Sequence, residues 1–171
     1  ITMFLCAAEP DKDASLIRMN VNWLEKIQIK NGPQSGSWAY SERNVKGDNS
    51  NSQFALLALH EAERAGVKIK GSTWQLAREY WLSVQKTDGS WGYLKNEPST
   101  GSMTCAGIAS LSIIAGKIHQ GDAVVLSGGT VKCCGAQSDN EPLRRALDWL
   151  GRKFSVERNP NPFSGLRANL D

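Results

Sequence analysis

Two five-residue segments of this chain nearly coincide: Gly36-Ser37-Trp38-Ala39-Tyr40 and Gly89-Ser90-Trp91-Gly92-Tyr93. Their tryptophans stand 53 residues apart (91 minus 38). An internal period near fifty means that one supersecondary unit is used again and stacks on its copy, because a single unit cannot bury its own apolar face. In both copies an amphipathic segment with aromatic residues comes before the Gly-Ser-Trp and a more uniformly apolar segment follows it.

The segments around the repeat read as helices. From Ala14 to Gln28, Leu16, Ile17, Val21, Trp23, Leu24 and Ile27 recur at helical spacing, with Asp13 or Ser15 placed to cap the start. Asn31-Gly32-Pro33 ends that helix, with a residue suited to a left-handed cap and one that cannot continue the hydrogen bonding. Gln53 to Ala65 is apolar nearly all round and predicts a buried helix closed by Gly66. Ser72-Thr73 opens an amphipathic helix to Lys86, and Ser102 to Lys117 is a charge-free, buried one. Asn140-Glu141-Pro142 opens a third amphipathic helix, with Pro in the first turn, where its missing N–H costs nothing. The expected spans are 14–28, 73–86 and 141–154 for the outer helices and 51–65 and 102–117 for the inner ones.

Two stretches break the rhythm. Residues 121–140 predict a loop or a small hairpin turning at Gly128-Gly129, inserted in an otherwise single domain spanning 1–171. After the third outer helix a third Gly-Ser-Trp is due, and the chain has Asn159-Pro160-Asn161-Pro162-Phe163-Ser164-Gly165 instead. Ile1 to Ala8 reads as the end of a buried helix that begins before Ile1, or as the tail of a signal peptide.

Composition excludes several partners. With 22% charged residues of both signs and a net charge of +3, no polybasic stripe marks a nucleic-acid binder. The uncharged run Pro98 to Gly116 is diluted by Ser, Thr and Gly, and its apolar part falls short of the ~18 residues of a membrane span, so no transmembrane segment is expected. Cys6, Cys105, Cys133 and Cys134 lack metal-ligand spacing and lie far in sequence from His60 and His119, which speaks against a zinc site and for unpaired thiols.

Tyr80-Trp81-Leu82-Ser83-Val84-Gln85, followed three residues later by Gly89-Ser90-Trp91, resembles the QW repeat of squalene-hopene and oxidosqualene cyclases. Trp23 to Gln28 keeps the aromatic-to-Gln spacing of Tyr80 to Gln85, with a longer gap before Gly36. The third unit keeps only Trp149-Leu150. The resemblance implies an all-α fold, an α/α toroid of the terpenoid cyclase and protein prenyltransferase kind, present here as a partial toroid of about three helical hairpins. It also implies that Trp38, Gln85, Gly89 and Trp91 are structural repeat residues, the Gln tying helix ends to neighbouring loops.

The catalytic residues that the resemblance would bring are missing. Class II terpene cyclases protonate their substrate from a DxDD motif at the start of an inner helix. Counting back from Ala58-Leu59 sets Asp48-Asn49-Ser50-Asn51-Ser52 on that motif, with Ser50 and Asn51 at the acid positions. A hydroxyl or an amide has no proton to give an alkene at neutral pH. Asp48, Ser50 and Asn51 are therefore candidate cavity or degenerate acid-motif positions, and the same run serves equally as a helix cap. The Asp-x-Cys zinc element of prenyltransferases and the Cys-Gly-Glu-Gln thioester are absent, and no Ser-His-Asp set is legible. His60 reads as a hydrogen-bonded structural histidine. The expectation is a catalytically silent toroid segment with a binding or assembly role and no cofactor. Its partner would be a hydrophobic small molecule or a protein, its own copy or the remainder of a longer toroid included. The alternatives are a fragment of a cyclase- or prenyltransferase-like enzyme whose catalytic residues lie outside this chain, and a carbohydrate-active α/α barrel working through paired carboxylates.

Overall fold

The computed structural model describes residues 1–41, 46–118, 124–125, 131–132 and 141–160. Among them the chain is helical apart from turns and one small strand pair. The helices are α1 (Thr2–Ala8), α2 (Ala14–Ile27), α3 (Asn49–Arg64), α4 (Gly71–Val84), α5 (Gly101–Ile118) and α6 (Glu141–Lys153). The strands β1 (Val124–Val125) and β2 (Val131–Lys132) pair antiparallel, Val124 opposite Lys132. The rest of 119–140, with His119 and the two vicinal cysteines, lies outside the described residues, as does 161–171.

Each helix follows its apolar spacing. In α4 the buried residues are Thr73, Trp74, Ala77, Tyr80, Trp81 and Val84, a stripe repeating every three to four positions. Helix α2 buries Ile17, Val21 and one carboxylate, Glu25, on its covered face. Contacts arrange the elements in two rows. Helices α1, α3 and α5 form a central row, α3 touching both of the others, while α2 lies on α1 and α3, and α4 and α6 lie on α5. The core runs between the rows and includes Leu56, Leu59, Trp81, Trp91 and Ile114, all at or near zero exposure.

Several expectations are corrected. Helix α3 starts at Asn49, two residues before the expected start, because the Asp48 carboxylate accepts from the Asn51 N–H and fixes the first turn one residue earlier in the chain. Helix α4 starts at Gly71, and the Thr73 hydroxyl, expected near its cap, donates to Glu25 Oε1 at 3.1 Å. Helix α2 ends at Ile27 with Gln28 extended, so Gly32 (φ 82°) serves the following turn rather than the helix end. Neither cap expected for α2 donates its side chain: Asp13 occupies the N-cap without a side-chain cap bond. Helix α3 is not buried all round, since Phe54 is 56% exposed on a face that no helix covers. Gly101–Ile118 is an 18-residue helix of mean hydropathy 1.3, long and apolar enough by length and composition to cross a membrane, contrary to the expectation from the shorter uncharged run. In this fold it packs between α3, α4 and α6.

Candidate functional site

Two turns, between α2 and α3 and between α4 and α5, use the same set of bonds. Gln28 extends from the end of α2, and its amide nitrogen donates to the Gly36 carbonyl at 3.2 Å and to the Thr73 carbonyl, in the first turn of α4, at 3.0 Å. Gln85 leaves α4 in the same way and donates to Gly89 at 3.0 Å and to Pro142, in the first turn of α6, at 2.8 Å. The amide oxygens accept from cations, Gln28 from Lys30 at 2.7 Å and Gln85 from Arg145 at 3.2 Å. A side chain with both donors and an acceptor can do this; a Glu could not.

The glycines and indoles complete each clamp. Gly36 and Gly89 have φ of 94° and 92°, a region costly for any residue with a Cβ. A Cβ on Gly36 would run into the Leu76 carbonyl of α4, and one on Gly89 into the Arg145 carbonyl of α6. Trp38 and Trp91 then fold back under the helix they follow. Their indole N–H groups donate to the Leu24 carbonyl at 2.8 Å and the Trp81 carbonyl at 3.0 Å, which occupy orphan positions near the helix C-termini. Their backbone N–H groups donate to Ser52 Oγ (3.0 Å) and Thr104 Oγ1 (3.3 Å), and these hydroxyls donate on to the Asp48 and Thr100 carbonyls. The turn thus joins the end of one flanking helix, the start of the next and the start of a central helix.

At the start of α3, the three positions on the acid motif take different places. Asp48 is buried, and its two carboxylate oxygens accept from the backbone and side-chain N–H groups of Asn51 at 2.8 and 2.7 Å. Ser50 and Asn51 are half-buried in the first turn, and Asn51 faces the groove described below. Asn49, which sequence reasoning passed over, is fully buried and joins the repeats. Its amide donates to the Gly92 carbonyl (2.8 Å) and accepts from the Tyr80 hydroxyl (2.8 Å). Burial, then the Asp48 charge, pushes the Tyr80 phenol up. The hydroxyls of Tyr40 and Tyr93 meet at 2.9 Å, and that bond, with some burial, raises Tyr93 likewise. The only sequence signal for Asn49 is its place beside a cap, since its partners lie 31 and 43 residues away.

Other expected and unexpected residues are placed as follows. His60 is half-buried and its Nδ1 finds no hydrogen-bond partner, so the expected bonded histidine is corrected; burial, then Lys117, holds its pKa down. Cys6 is half-buried and Cys105 exposed, both free. Glu25, missed in the sequence, accepts from the Lys70 N–H at 2.7 Å and pairs with Lys70 Nζ at 3.0 Å. Burial pushes its carboxyl up, and the Lys70 and Thr73 bonds together outweigh that and hold it below its ordinary value.

A groove of about 440 Å³ opens where α1, α2 and α3 meet. Trp23, Ile27, Phe54, Ala55 and Ala58 give it an apolar wall, and Asn20 and Asn51 give it polar edges. Trp23 and Phe54 remain 46% and 56% exposed there. No family model, no curated protein and no solved structure matches the chain.

Proposed function

We propose that the chain is a turn-clamped helical-repeat scaffold, a partial α/α toroid similar to squalene-cyclase and prenyltransferase-like proteins, with a binding or assembly role in place of catalysis. The observation that carries this reading is the doubled clamp: Gln28 with Gly36 and Trp38, and Gln85 with Gly89 and Trp91, make matching bonds to matching carbonyls. Such a clamp sets the angle between successive helix pairs, which is what an arc of repeats requires. The alternation of central and flanking helices fits the same arc, and α5 is then its core helix.

The chemistry at the start of α3 supports a binding role. Asp48, the one carboxylate retained at the acid-motif position, has both oxygens engaged with Asn51, and its neighbours Ser50 and Asn51 have no acidic proton to give. The open apolar groove, with polar groups only at its edges, is of the kind that takes an apolar ligand or partner segment. Purified protein incubated with squalene, or with a prenyl diphosphate and a thiol acceptor, is expected to form no product above a no-enzyme control. Turnover of either substrate overturns the scaffold reading.

A further inference from the structure

The groove between α1, α2 and α3 has a filled counterpart in the same molecule. An offset of 57 residues relates Ala14 to Gly71, at the starts of α2 and α4, and Gln28 to Gln85. It also sets Trp23 on Tyr80, Leu24 on Trp81 and Ile27 on Val84. Across the turn, where the offset is 53 and then 52, Trp38 falls on Trp91 and Phe54 on Ala106. The second set is closed: Tyr80, Trp81, Val84 and Ala106 are all at most 4% exposed. In the first set Trp23 and Phe54 lie open.

What closes the second set is the N-terminal half of α3. Asn49, Ser52, Ala55 and Leu56 are its buried residues, and the Asn49 amide ties it to Tyr80 and Gly92. The central-row helix in the corresponding place for the first set is α1, which has seven residues where α3 has 16. By the same offset Ile1 corresponds to Ala58, and Thr2, the buried residue of α1, to Leu59. Helix α1 packs on α3 as α3 packs on α5, so it reproduces only the C-terminal half of a central helix. The groove is the direct prolongation of that α1–α3 interface, and Ile1, Thr2 and Met3 line its end.

We propose that the groove is a docking site for an apolar α-helical segment of about two to three turns lying in line with α1. The segment would carry small and apolar residues on the face turned to Trp23 and Phe54, and an amide in its first turn to reach Trp23 and the backbone at Ala39, as Asn49 reaches Tyr80 and Gly92. This rests on the repeat reading above, but its test does not involve turnover, so either can fail without the other.

The experiment grafts residues 48–57 immediately before Ile1, which by the 57-residue offset sets the copied helix in register with α1. Thermal unfolding and tryptophan emission are followed with and without the graft, alongside a control graft in which the copied Ala55 and Leu56 are both replaced by Glu. The authentic graft is expected to raise the melting temperature by several degrees and shift emission to the blue, and the control to do neither. Trp23→Gln, made in both backgrounds, guards against a graft that merely disturbs folding: it should cost little without the graft and abolish most of the gain with it, since only the grafted chain buries that ring. No gain from the authentic graft, an equal gain from the control, or a gain that survives Trp23→Gln overturns the proposal. So does light scattering that shows the ungrafted chain as a dimer whose Trp23 is already shielded from a soluble quencher, for the groove would then belong to a second copy.

Discussion

At the scale of single residues, the two tryptophans of the repeat carry the largest stakes. Trp91 is fully buried, meets the Trp81 ring edge-on at 6.1 Å and bonds the Trp81 carbonyl. Its replacement by Ala removes a large apolar area and strands a carbonyl, and should cost about 3–5 kcal/mol; Trp38→Ala should cost a similar amount, both read from chemical denaturation. Gln85→Ala should cost roughly 1–3 kcal/mol, because the Gly89 and Pro142 carbonyls lose a buried donor. Glu25 gives a pH signature. Its folded pKa is lowered, so its stabilisation is complete above the unfolded value of about 4.3 and drains away as the pH falls through the folded value. The stability gap between the natural chain and Glu25→Gln, measured by denaturant titration at a series of pH values, should therefore be widest near neutrality and close in acid. A gap independent of pH would mean that the Lys70 and Thr73 bonds do not select the carboxylate.

At the scale of elements, the central helices are tuned to the indole they cover. Gly107 of α5 lies against Trp91, where an added Cβ would stand 2.5 Å from the ring. Gly107→Ala, favourable in a free helix, should here destabilise by about 1–3 kcal/mol, as overpacking does; an increase in the unfolding midpoint would show that the ring has room to shift. The helices themselves were legible because their apolar residues recur at the helical period, and the five-residue repeat located both turns. Burial was less legible. Phe54 sits in a run that is apolar all round, so its pattern says core, yet its exposure depends on whether a neighbouring helix covers that face, which is a property of the row and not of α3. Asn49 and Glu25 escaped notice for a related reason: each is defined by partners 31 to 48 residues away. The third turn was legible only as an interruption. In the structure Pro160 accepts from the Gly101 N–H at 2.8 Å, as Tyr93 accepts from the Asn49 N–H at 3.2 Å, so the place of the third turn is kept though its sequence is lost.

At the scale of the whole molecule, α3 belongs to both repeats. Its start closes the first turn through Ser52, and its Asn49 holds the second through Gly92 and Tyr80. Neighbouring units coupled in this way unfold together when the interface between them outweighs the stability of each alone. Gln28→Ala and Gln85→Ala should accordingly lower one shared unfolding transition, followed by far-ultraviolet circular dichroism, rather than split it into two. The central claim, that two equivalent turn clamps hold the fold, is tested most directly by hydrogen exchange of the six indole N–H groups, observed by nitrogen-15 NMR. The Trp38 and Trp91 indoles, each bonded to the carbonyl of a preceding helix, should exchange together and only through global unfolding, while the half-exposed Trp23 exchanges far sooner. Exchange of either clamp indole at a rate close to that of Trp23, or a difference between the two as large as their difference from it, would contradict the account.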